Sequence, residues 1–243
     1  MHLSPDSIVL MRIPLGIVDL PISLTLAMTW CVMAFLTVGA YAITRGLSVR
    51  SAGHGVPTRG QMALTVIVEL LEDQIGEISR RKPGPFLPFI GTLFLFIAVS
   101  NLLLVVPGFV PPTASLSTTA ALAIVVLLAV PVFAIGERGL RAYLAGYLQP
   151  SPIMLPFNLI GEATRTLALA IRLYGNVMSG TVIAAILIGL TPLFLPVVMD
   201  VLGLITGMIQ AYIFAVLAMV YIAAAVGPEA AHATGPTTED TSP

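Results

Sequence analysis

Apolar residues run through this chain in five long blocks, separated by short segments where proline, glycine and charge collect. The blocks span residues 22–44, 86–106, 118–136, 153–189 and 191–226. A hydrocarbon core about 30 Å thick needs roughly 20 apolar helical residues, so each block predicts a membrane-embedded helix. The last two exceed that length, so they are expected to be long and tilted. Residues 61–80, QMALTVIVELLEDQIGEISR, follow another rhythm. At 3.6 residues per turn, Ile67, Leu70, Leu71, Ile75 and Ile78 fall on one side. Thr65, Glu69, Glu72, Asp73, Glu77 and Arg80 fall on the other. That pattern predicts an amphipathic surface helix. Its polar face is acidic, so a protein neighbour suits it as well as lipid headgroups, and a plain solvated face is the bland alternative. The fold class expected is all-α and membrane-integral: five embedded helices plus one amphipathic surface helix, in a single domain over residues 1–243.

Composition agrees. Of the residues, 57% are hydrophobic and 9% charged, whereas a soluble domain carries about a quarter charged residues. With net charge −1 and no long basic tract, nothing points to a nucleic-acid partner. Cys31 is the single cysteine, which excludes an internal disulfide. Ahead of the first block there is no basic n-region and no small-residue cleavage site, so residues 22–44 read as a retained span rather than a leader. Residues 1–21 are expected to lie outside the membrane, and the Pro/Thr/acid-rich tail 227–243 to be flexible. Six of the eleven basic residues (Arg45, Arg50, Arg59, Arg80, Arg81 and Lys82) lie in the 45–82 segment. Arg138 and Arg141 lie in 137–150, and the 107–117 turn has no basic residue. The positive-inside rule then places the N-terminus outside and the C-terminus in the cytoplasm. No internal repeat is visible, unlike the usual secondary transporter.

Charge reappears where lipid should be. The fourth block contains Glu162, Arg165 and Arg172. With Asn158, Asn176 and Ser179 they share an arc of about 100° on a helical wheel, a polar stripe along most of the block. Arginine stays protonated in proteins, and at a bilayer centre its cost runs from about 3 to more than 10 kcal/mol. Glu162 and Arg165, three residues apart, can satisfy one another as a local ion pair. Arg172 has no acid three or four residues away, and no acid lies in blocks two or three at membrane depth. Its counter-charge is therefore expected from another chain. In the fifth block, Gly203, Gly207 and Asp200 lie beside Gln210 on the wheel. Glycines there let a facing helix approach closely. Plain helix packing accounts for them equally well, and Asp200 can also sit in water at the outer helix end.

The segment PIMLPFNLIGEATRTLALAIRLYGNVMSG (152–180) resembles the fourth-span signature of subunit a of F-type ATP synthases. TLFLFIAVSNLLLVVPGFVPPTASLSTT (92–119) is similar to that family's preceding hairpin, and IQAYIFAVLAMVYIAAA to its closing helix. The resemblance covers well over half of the transmembrane part, in the family's order. It implies a stator ion-channel subunit that passes H⁺ or Na⁺ through two offset half-channels to carboxylates on a rotating c-ring. It also implies peripheral-stalk b subunits, the F1 head and the lipid bilayer as partners. Neither a cofactor nor a metal is implied, and the location implied is a bacterial plasma membrane. By residue, the resemblance makes Arg172 the stator charge, with Asn176 and Gln210 at the family's motif positions and Glu162 near the cytoplasmic ion pathway. Two positions depart from the pattern: Thr181 where relatives often carry an acid, and Gly203 where they often carry a histidine or acid. Asp200 and Ser179 are the candidates to take over that outer role. No phosphate-binding Gly-rich loop is present, so nucleotide chemistry would belong to other subunits. The competing class is a self-contained ion transporter or channel, which would need a complete ion path within one chain.

Overall fold

The computed structural model describes residues 9–14, 19–50, 59–79, 83–106, 109–148, 153–190 and 194–227. Among them run seven α-helices: α1 Leu24–Arg50, α2 Arg59–Ser79, α3 Leu87–Leu102, α4 Leu116–Arg138, α5 Leu140–Leu148, α6 Met154–Leu190 and α7 Phe194–Val226. Short 3-10 turns, Leu103–Val105 and Pro112–Ala114, occupy the connection between α3 and α4. Helices α1, α3, α4, α6 and α7 are long and apolar enough to cross a membrane. The protein is an all-α membrane protein with α2 as its amphipathic extra helix. At 1.5 Å per residue, α6 and α7 measure about 55 and 50 Å, well beyond the apolar thickness of a bilayer. The tail after Gly227 and the basic run Arg80, Arg81 and Lys82 lie outside the described residues.

Two elements depart from the sequence pattern. Strands β1 (Val9–Pro14) and β2 (Asp19–Ser23) pair antiparallel ahead of α1, with Ile13 opposite Leu20 and Pro14 opposite Asp19. The mixed, Pro-interrupted composition conceals this hairpin, because each strand of a two-stranded ribbon is an edge and edges tolerate proline. The second is α5, within a segment that reads as a polar connection. Gly139 ends α4 with φ 81°, its N–H donating to the Ile135 carbonyl at 2.8 Å. Only glycine enters that region without strain, so α4 stops and a new helix starts one residue later.

The core gathers around α7, which packs against α2, α3, α4 and α6. Ala211, Ala215 and Ala218 are buried on α7 at helical spacing, beside Phe214, Met219 and Ile222. Small residues at that spacing let neighbouring backbones close in, which matters where lipid offers no hydrophobic drive between helices. Ile90, Leu93 and Ile97 of α3, Val126 and Val130 of α4, and Leu169 and Leu173 of α6 complete the cluster. Phe133 packs between Phe86 and Phe89, with centroids 5.3 and 5.7 Å away. The outer surface is apolar: Trp30, Phe35, Val132, Ile160 and Ile186 are all more than half exposed. Such a surface suits hydrocarbon and would aggregate in water.

Helix α2 lays Leu71, Ile75 and Ile78 against α3 and α7. The Tyr212 hydroxyl of α7 donates to Gln74 Oε1 of α2 at 2.6 Å. Its apolar face is thus covered by this chain itself. Leu70, which the helical wheel groups with that face, is 60% exposed. It sits at the edge of the arc, in an i, i+4 row with exposed Met62 and Val66. Truncating Ile75, 1% exposed, to alanine should cost about 2–5 kcal/mol and lower the thermal midpoint of the detergent-solubilised complex. Leu70→Ala should stay within about 0.5 kcal/mol of wild type. Equal effects of the two substitutions would contradict this docking of α2.

Candidate functional site

Arg172 occupies the midpoint of α6, eighteen residues from Met154 and eighteen from Leu190. Its side chain is exposed, and among the described residues no carboxylate lies within ion-pair distance. The residues beside it on the chain face elsewhere: Leu169, Ala170 and Leu173 are buried in the helix bundle. One side of α6 therefore anchors the helix while the other turns the guanidinium outward. Asn176, half-buried, follows one turn later, and the exposed Ser179 hydroxyl donates back to the Asn176 carbonyl at 3.1 Å. Thr181 donates to the Met178 carbonyl at 2.9 Å. Both hydroxyls are partly engaged by their own helix.

The N-terminal half of the stripe borders a cavity of about 480 Å³ between α4, α5, α6 and α7. Asn158, Glu162 and Arg165 of α6 share its wall with Arg138, Tyr143 and Tyr221. Glu162 is half-buried, and the Arg165 guanidinium lies over the Tyr221 ring at 5.7 Å. A cation against an aromatic face is held by the ring quadrupole at modest energy, about 0.5–1 kcal/mol when exposed. Arg138 reaches the end of α7, where Gly227 with φ 69° leaves the space its guanidinium fills. Backbone carbonyls at a helix C-terminus carry partial negative charge, which favours a cation there. The cavity thus opens at the end of the molecule where α4 ends, α6 begins and α7 ends. A volume of this size lined by charged and hydroxyl groups holds water readily.

Gln210 occupies the midpoint of α7, sixteen residues from Phe194 and sixteen from Val226. The Arg165–Tyr221 contact fixes an antiparallel pairing of α6 and α7. Continued along both helices, it sets Arg172 level with about residue 214, roughly one turn from Gln210. Gln210 is 6% exposed, and its Nε2 finds no acceptor among the described residues; Ser100 Oγ of α3 is likewise buried without a partner. Leaving a buried donor unpaired costs about 1–3 kcal/mol, so such groups call for an explanation. Close by, Asn101 of α3 donates from Nδ2 to the Gly207 carbonyl at 2.9 Å and accepts from Thr113 Oγ1 at 3.1 Å. Of the two glycines of α7, Gly207 admits α3 closely: a Cβ there would lie 2.9 Å from Asn101 Cβ, whereas one on Gly203 would make ordinary contact, 3.8 Å, with Leu104 Cδ2 of the 3-10 turn.

Six residues were singled out in the sequence, and the structure distributes them. Arg172 and Gln210 lie within about one helical turn of each other along the bundle; Asn176 and Ser179 continue the α6 stripe on one side of that level. Glu162 belongs to the cavity on the other side. Asp200 is exposed in the second turn of α7, about 15 Å of helix from Gln210. Asn101, Thr113, Tyr221 and Arg138 were missed by sequence reasoning. Asn101 is a lone amide in an apolar block, and that is the one signal the sequence carried for any of them. In a Cys31→Ser background, Asn158→Cys should react with a water-soluble maleimide at least ten times faster than Leu169→Cys, which is 1% exposed. Equal rates would mean the cavity is closed to water.

The wider comparison gives this arrangement its context. The family model described as ATP synthase A chain matches residues 26–223. An ATP synthase subunit a of Acaryochloris marina is 56% identical over 225 residues, covering 93% of this chain and 93% of that one. A counterpart in Chlorobaculum parvum is 54% identical over 226 residues, covering 93% of this chain and 96% of its own. The ATP synthase subunit a of Nitrosospira multiformis is 53% identical over 225 residues, covering 93% and 86%. With the family model matched over residues 26–223 and these relatives aligned over 93% of its length, the chain belongs to the ATP synthase A chain family.

Proposed function

We propose that this protein is the stator ion-channel subunit of a rotary F-type ATP synthase or ATPase. It delivers H⁺ or Na⁺ through two offset half-channels to and from carboxylates of a c-ring. The observation that carries this reading is Arg172: a permanent charge at the midpoint of a helix nearly twice as long as the apolar core of a bilayer is thick, exposed and without an ionic partner among the described residues. A ring carboxylate that has lost its ion is costly in hydrocarbon. Opposite a guanidinium about 4 Å away it gains roughly 4 kcal/mol at an effective dielectric of 20. The same charge repels cations, so an ion cannot pass directly from one half-channel to the other and must travel with the ring.

In this reading the cavity at Asn158, Glu162 and Arg165 is the inner, cytoplasmic half-channel. Its place beside the ends of α4 and α7 supports that assignment, because the basic residues of 45–82 and 137–150 favour the cytoplasm at that end. The N-terminus then lies outside, and the membrane is a bacterial plasma membrane. Gln210 and Asn176 lie near the stator charge as uncharged ligands of the ion path. Ser179 and Asp200 serve the outer half-channel, where Thr181 and Gly203 supply no titratable group. Peripheral-stalk b subunits and the F1 head complete the complex.

The test is ATP-driven cation uptake into inverted vesicles. Arg172→Ala should reduce uptake at least a hundredfold while released F1 retains its ATP hydrolysis. Pumping at the wild-type rate would sink the stator assignment and leave a self-contained transporter as the leading account. Protonophore-resistant, Na⁺-dependent uptake would name Na⁺ as the ion; collapse with a protonophore would name H⁺. Asp200→Asn should slow pumping several-fold, and unchanged pumping at every pH would remove Asp200 from the pathway.

A further inference from the structure

We propose that Asn101 is a positioning residue: with Thr113 and Gly207 it forms a latch that fixes the height and rotation of α7, and through it Gln210. The proposal rests on the reading of Gln210 as a group on the ion path. Asn101 is 2% exposed in the last turn of α3, and its carboxamide is engaged at both ends. The Gly207 carbonyl can only accept, so the atom facing it is Nδ2, and Oδ1 is left to receive the Thr113 hydroxyl. Three separate segments are joined by one side chain: α3, the 3-10 turn Pro112–Ala114 and α7.

Gly207 makes the join close. A Cβ there would approach Asn101 Cβ, Cγ and Nδ2 at 2.9, 3.0 and 3.1 Å. Asn101 Cβ is tied to its helix backbone and cannot swing away, so any larger residue would push α7 off α3. Apolar contacts alone would let two smooth helices slide or rotate with little penalty. A directional bond to one carbonyl selects one register, in the way a single buried amide selects register in a coiled coil. Gln210 follows Gly207 by three residues, on the neighbouring part of the same face. The latch holds no charge of its own: Asn101 bonds to α7 and to the turn Pro112–Ala114, and α6, which carries Arg172, packs on both. With its carboxamide engaged at both ends, Asn101 acts on Gln210 through the placement of α7.

The experiment uses the assembled complex in inverted vesicles. In a Cys31→Ser, Gln210→Cys background, alkylation of the thiol by a small membrane-permeant maleimide reports α7 placement without requiring pumping. Asn101→Val and Thr113→Val should each raise the alkylation rate at least fivefold, and Thr113→Ser should restore the slow rate. With Gln210 intact, the same Val variants should shift the apparent affinity for the transported cation several-fold, while Thr113→Ser behaves as wild type. Unchanged alkylation in both Val variants would overturn the latch, whether pumping survives or is lost. Should Asn101→Val fail to assemble, Thr113→Val, which deletes a single hydroxyl, decides the matter by the same criteria. Failure of the stator reading shows separately, as normal pumping by Arg172→Ala, and leaves the alkylation result to stand on its own.

Discussion

A guanidinium cannot shed its charge, so placing one at the middle of a long apolar helix constrains everything around it. The cost in hydrocarbon, about 3 to more than 10 kcal/mol, has to be met by water, by an anion or by a neighbouring chain. Around Arg172 the fold makes no attempt to bury the charge within this chain. Leu169, Ala170 and Leu173 turn into the bundle on the arc next to it and hold α6, leaving the guanidinium of Arg172 exposed. The same division of faces recurs on α7, where a row of alanines seats the helix against its neighbours.

An exposed charge at that depth makes demands on the rest of the architecture. A helix pair of about 50 Å needs support that lipid cannot give, since lipid tails are as apolar as the helices. Support comes from α3 and α4 packed on α7, and from α2, whose apolar face covers α3 and α7 while Glu69, Asp73 and Glu77 on its acidic face are exposed. Gly139 and Gly227 end α4 and α7 with left-handed backbone, and Arg138 fills the space at Gly227. These terminations define one end of the bundle and shape the cavity that Glu162 and Arg165 border.

Polar groups inside the bundle fall into two kinds. Most helical Ser and Thr hydroxyls donate to a carbonyl three or four residues back, as Thr29, Thr166, Thr181 and Thr206 do, and so are satisfied locally. Asn101, Thr113 and Gln210 differ. Two of them bond across elements, and the third keeps an unpaired donor. Buried polar groups that reach across helices specify a single arrangement, whereas locally satisfied hydroxyls leave the packing indifferent.

Membrane insertion, the number of spanning helices and the amphipathic character of α2 were determined by the sequence alone. Hydrocarbon thickness and helical rise convert runs of Leu, Ile, Val and Ala directly into spanning helices, and the period of Ile67, Leu71, Ile75 and Ile78 shows as plainly. The singular position of Arg172 was equally legible, because an arginine without a nearby acid stands out in any apolar block. The hairpin at Val9–Pro14 and Asp19–Ser23, and helix α5, were not legible. Strand pairing and helix restarts depend on partners and on single φ values that composition does not encode. Nor could the sequence tell that Leu70 stays outside while Leu71 is buried, or that Asn101 meets Gly207 across 106 positions of chain. A helical wheel gives the direction of a side chain about its own axis. Which neighbour lies in that direction, and at what height, is decided only when the helices pack.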